Sequence, residues 1–80
     1  MLKVDLTKEG FHQEFDRSMD LQLVVQFKLG AASLEQISPL KSVEVSEGIL
    51  YVENFNSPYR YKYLIKEVRY AMVMFPGQLG

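Results

Sequence analysis

The chain has no cysteine, and this one absence removes both a disulfide framework and a zinc knuckle. A single histidine, no serine at a triad-like spacing and no Gly-x-Ser-x-Gly turn leave nucleophilic catalysis without a set of groups to draw on. No glycine-rich phosphate loop is present either. The longest apolar run, AMVMF (71–75), is far short of the about 20 residues a membrane-spanning helix needs, and the opening MLKVDLTKEG holds no long apolar stretch. Together these absences predict a soluble, cytoplasmic, non-enzymatic protein with no cofactor and no metal.

What is present is the composition of a folded domain. Hydrophobic residues make up 48% of the 80 positions and charged residues 24%, outside the range of disordered chains. No linker, repeat or low-complexity tract divides the chain, so residues 1–80 read as one domain. A chain of this size buries only about 60–65% of its unfolded surface, which leaves a thin core. With no disulfide or metal to supplement it, burial against a second copy or a partner is the remaining support, and self-association is expected.

Charge is segregated along the chain although the net value is only −1. Up to Pro58 there are five cations against nine anions, a balance of −4. From Tyr59 onward Arg60, Lys62, Lys66 and Arg69 stand against Glu67 alone, a balance of +3.

Alternation governs most of the chain. In LQLVVQFKLG, Leu21, Leu23, Val25, Phe27 and Leu29 share one face of a strand that Gly30 ends. Ser33 to Gln36 has the spacing of a helix-capping box, but Pro39 limits any helix there to a short connector. KSVEVSEGILYVENF then reads as a hairpin turning at Ser46-Glu47-Gly48, and Asn56-Ser57-Pro58 marks the next turn.

Two segments admit two readings. Residues 7–19 read as a short N-terminal helix capped by Thr7, with Leu6 and Phe11 stapled across the cap and Phe11, Phe15 and Met19 on one side; the other reading is a hairpin through Lys8-Glu9-Gly10. Residues 61–75 read as strand, break at Lys66-Glu67, then strand, with Val68, Tyr70, Met72 and Met74 facing inward. Alternatively they form an amphipathic helix with Tyr61, Leu64, Ile65, Val68, Ala71, Met72 and Phe75 on one stripe. The start after a proline and the tyrosine and β-branched content favour strands. The expected fold class is therefore mainly β, with α+β as the alternative: a small curled antiparallel sheet or partly open barrel. In outline such an arrangement resembles SH3-like and Sm-like barrels, a likeness of fold that implies no activity.

Few residues point to chemistry. His12 has Glu9 and Asp16 at helical spacing, yet no second His or Cys cluster completes a metal site. Glu44 and Glu47 flank a turn, where carboxylates are ordinarily solvated. The distinctive stretch is SPYRYKYLIKEVRY (57–70), where tyrosines and cations interleave. It marks Arg60, Lys62, Tyr63, Lys66, Arg69 and Tyr70 as candidate partner-binding residues. The expected function is a protein–protein interaction module, a small regulator or inhibitor that binds an acidic protein partner and forms homo-oligomers. The alternative is a single-strand nucleic-acid binder that uses segment 59–70, with rings stacking on bases and cations following phosphates.

Overall fold

The computed structural model describes residues 2–28 and 34–75. Eight strands run in chain order: β1 (Leu2–Lys3), β2 (His12–Glu14), β3 (Gln22–Phe27), β4 (Leu34–Ile37), β5 (Leu40–Ser46), β6 (Ile49–Asn54), β7 (Arg60–Leu64) and β8 (Val68–Met74). Every pair is antiparallel, and the strands divide into two four-stranded sheets. Sheet A has the order β1-β8-β3-β4 and sheet B the order β2-β5-β6-β7. The mainly β expectation holds. In place of one curled sheet or partly open barrel there are two separate sheets, because the chain changes layer four times, between β1 and β2, between β2 and β3, at Pro39 and at the 3-10 turn Ile65–Glu67.

Alternation builds the core between the layers. Leu23, Val25, Ala71, Val73 and Ile37 of sheet A meet Leu40, Val43, Val45, Leu50 and Val52 of sheet B, and Val4, Leu21 and Val68 close the ends. Fully burying one such side chain is worth about 1.5–3 kcal/mol. Contacts of this kind hold the layers together, since no hydrogen-bonded strand pair joins the sheets among the described residues.

Turns are set by local chemistry. Glu47 and Gly48 both have positive φ, 50° and 78°, as a two-residue hairpin loop between β5 and β6 demands. The expected hairpin is present. Residues 61–75 form strand, 3-10 turn and strand, with no helix.

The N-terminal helix expected over 7–19 does not form. The Asp5 carboxylate accepts from both the Thr7 hydroxyl (2.6 Å) and the Thr7 N–H (3.0 Å), which occupies Thr7 in a local turn where a helix cap was expected. Gly10 then adopts φ 84°, outside any helix, and the chain enters β2. Phe11 and Phe15 still pack on the core, but Met19 is exposed in the 3-10 turn Arg17–Met19. The connector helix expected from Ser33 to Gln36 is likewise replaced: Leu34–Ile37 is strand β4, paired with β3, while Ser33, Leu29 and Gly30 lie outside the described residues.

The last correction concerns phase. Val68 faces inward as expected, but the inward residues that follow are Ala71 and Val73, whereas Tyr70, Met72 and Met74 face out. The register shifts between Gln26 and Phe27, so that Phe27 opposes Val68 and Gln26 opposes Tyr70, leaving Arg69 as the extra residue. One extra residue moves every later side chain of the strand to the other face.

Candidate functional site

That bulge produces the most unusual surface of the molecule. Opposed residues of an antiparallel ladder share a face. On the outside of sheet A, Val24 stands between Met72 and Gln36, Gln22 beside Met74, and Gln26 between Tyr70 and Leu34. Lys3 lies across from Met72 and is the one charge within this ladder. Val24, at the centre of this ladder, is only 7% exposed. Leu34 at the edge is 44% exposed. The face is flat, apolar at its centre, and bordered by amides.

The outside of sheet B is of opposite character. By the same register it carries His12 and Glu14 of β2, Ser42, Glu44 and Ser46 of β5, Ile49, Tyr51 and Glu53 of β6, and Arg60, Lys62 and Leu64 of β7, with Ile49 and Leu64 as its apolar end. The Arg60 guanidinium donates to Glu44 at 3.1 Å and lies 4.2 Å over the Tyr51 ring. The Ser42 hydroxyl donates to Glu53 at 2.9 Å. With both partners of the Arg60–Glu44 pair more than two-fifths exposed, solvent screening leaves it worth at most about 1 kcal/mol.

The six residues singled out in the sequence are distributed over the fold. Arg60 and Lys62 share the outer face of β7, and Lys66 is exposed in the turn that leaves it. Arg69 and Tyr70 belong to the other sheet, where they line an open groove of about 360 Å³ with Lys3, Val4, Asp5, Leu6 and Thr7. Asp5 is held below the usual carboxylate range by its bonds from the Thr7 side chain and backbone. Tyr63 points the other way from Arg60 and Lys62. Its ring packs 5.7 Å from Phe27 and its hydroxyl donates to Glu35, so that burial first and Glu35 second push its pKa well above the ordinary 10.0. Tyr61 also lies on the inner side, opposite Val52.

His12, Glu9 and Asp16 serve separate local roles. His12 opposes Glu44, Glu9 accepts from the Glu47 N–H at 2.9 Å, and Asp16 caps Ser18 through its N–H and hydroxyl, each at 2.9 Å. Among the described residues no group of three His, Cys, Asp or Glu side chains is placed to hold a metal, and no helix is long and apolar enough to cross a membrane.

Val24 is an apolar residue on the outer side of β3, and the residues of β8 on that side are Met72 and Met74, while Val73 faces inward. The signal available was the pair of adjacent apolar positions, Val24-Val25, on β3. Comparison with models of protein families, with characterised proteins and with solved structures finds no match to this chain.

Proposed function

We propose that this protein is a non-enzymatic interaction module that docks through the outer face of sheet A, with a second copy of itself as the occupant, and that it regulates or inhibits by occupying a protein surface in this way. The observation that carries the reading is the run of Val24, Met72, Met74 and Tyr70 on one solvent-side face with a single neighbouring lysine. Glutamine, which both donates and accepts, is complementary to itself, and Gln22 and Gln36 border the apolar centre. Methionine side chains adapt to a facing copy at little strain.

Size sets the expected strength. Strands of two, seven, six and four residues, about 3.3 Å per residue and about 4.8 Å apart, give a face of roughly 300 Å². Two such faces bury roughly 600 Å², well below the range of about 1,200–2,000 Å² for stable complexes, so a weak and reversible dimer is expected.

The nucleic-acid reading has less in its favour. Arg60 and Lys62 share their face with Glu14, Glu44 and Glu53, while Arg69 and Tyr70 belong to the other sheet, so the cations and rings of segment 59–70 are divided between two surfaces. Sedimentation equilibrium from micromolar to millimolar protein tests the proposal. A monomer–dimer equilibrium abolished by Met72→Lys in a variant that still melts as the parent does supports it. A strictly monomeric parent, or a dimer indifferent to Met72→Lys, overturns it. Salt-sensitive binding of a single-stranded oligonucleotide would favour the alternative.

A further inference from the structure

A second site lies at the edge of sheet B, independent of the face just described. Among the described residues strand β7 is paired on one side only, with β6. The Ile65 N–H donates to the Gly48 carbonyl at 2.9 Å, which fixes the parity of this ladder. Hydrogen-bonded and non-bonded pairs alternate in antiparallel strands, so Tyr63 opposite Leu50 and Tyr61 opposite Val52 bond to β6. The backbone N–H and C=O groups of Arg60, Lys62 and Leu64 therefore point to the open edge. All three residues are exposed, and Lys62 makes no ion pair among the described residues. The open backbone positions and the outward cations thus fall on the same residues.

The geometry points to β7 as an acceptor for an extended acidic segment of a protein partner, added as a fifth strand of sheet B. An incoming antiparallel strand would bond its backbone to Lys62 and set the side chains opposite Arg60, Lys62 and Leu64 on the same outer face. Running from the Leu64 end, its side chains at alternate positions would be apolar, acidic, acidic. Cations on an edge strand also keep a second copy's identical edge from pairing, because lysine would meet lysine. The same two charges that exclude the chain's own β7 edge select a strand of opposite sign, which is why an acidic segment is the occupant chosen here. Steering by charge also makes the association sensitive to salt.

The test uses a short capped peptide with that alternating apolar, acidic, acidic pattern, titrated into the isotopically labelled full chain. Saturable binding is expected, weakening with salt, in which the amides of Arg60, Lys62 and Leu64 shift and become protected from solvent exchange while the Val24 and Met72 signals stay in place. Lys62→Glu, with an unchanged melting temperature, should weaken binding about tenfold. N-methylation of the peptide nitrogen that faces Lys62 should abolish binding, and methylation one residue away should not. Failure to saturate by millimolar peptide overturns the proposal. So does equal binding of the N-methylated peptide, or of one with lysines in place of its acidic residues.

Discussion

The two outer faces of this small β-protein are built from the same element and differ in almost everything else. Sheet B presents carboxylates, cations and a tyrosine tied to one another by the Arg60–Glu44 bond, the Arg60–Tyr51 stack and the Ser42–Glu53 bond. Sheet A presents valine, methionines, tyrosine and glutamines, with Lys3 as its single ladder charge. A face whose polar groups are already paired is one that water covers well. A face with an apolar centre and amide margins loses less on being covered by another copy, and the difference assigns the two sheets different roles.

The largest effect that would break this comparison lies where both sheets share a core. Leu50 is fully buried between them, so Leu50→Ala should cost about 2–5 kcal/mol and leave a chain this small largely unfolded, as seen in thermal or denaturant melts. A melt close to the parent's would mean that the layers do not depend on each other.

Next in size is the contrast in response to charge. Val24→Glu puts a carboxylate where the side chain is almost wholly shielded, and should lower stability by about 1–3 kcal/mol as well as dissolve any dimer. Glu53→Ala on the other sheet removes one hydrogen bond from Ser42 and should cost no more than about 1 kcal/mol. Similar losses from the two substitutions would erase the distinction.

The sequence made some of this asymmetry readable and hid the rest. Alternation in Leu21–Phe27 and around Glu47-Gly48 places β3 and the β5–β6 hairpin, because the residues that face the core there, Leu23 and Val25 on β3 and Val43, Val45, Leu50 and Val52 on the hairpin, recur at period two. Phase in β8 was not readable. The extra residue at Arg69 is marked by neither glycine nor proline, and it is fixed by how β8 meets Gln26 and Phe27 on β3, a contact distant in sequence. The turn at Thr7 was hidden for a related reason: a threonine two residues after an aspartate can bond to it or cap a helix, and Gly10 at φ 84° decides for the turn. Of the candidate residues, Arg60 and Lys62 were readable as one face of one strand, whereas the separation of Arg69 and Tyr70 from them depends on the change of sheet at Ile65–Glu67.

A smaller effect concerns pH. The Tyr63 hydroxyl titrates above its ordinary value because burial and its bond to Glu35 favour the protonated form. A folded pKa raised above the unfolded one gives a contribution fully present below pH about 10 and lost as pH rises beyond it, since only the unfolded chain then ionises freely. Melting temperature should therefore fall on the alkaline side of pH 10, and Tyr63→Phe should flatten that limb. An identical limb in the variant would show that Tyr63 is not its source.

The smallest effect belongs to the exposed pair. Glu44→Gln should change stability by at most about 1 kcal/mol and less in high salt, measurable by denaturant melts at two ionic strengths.

A dilution series followed by methyl and amide NMR is the most direct test of the difference between the faces. As protein is diluted from millimolar to micromolar, signals of Gln22, Val24, Gln26, Tyr70, Met72 and Met74 should move together along one dissociation curve, while those of Ser42, Glu44, Tyr51 and Glu53 stay fixed. Concentration-dependent shifts confined to the sheet B residues, or no shift on either sheet, would contradict the assignment of the apolar outer face of sheet A as the docking surface.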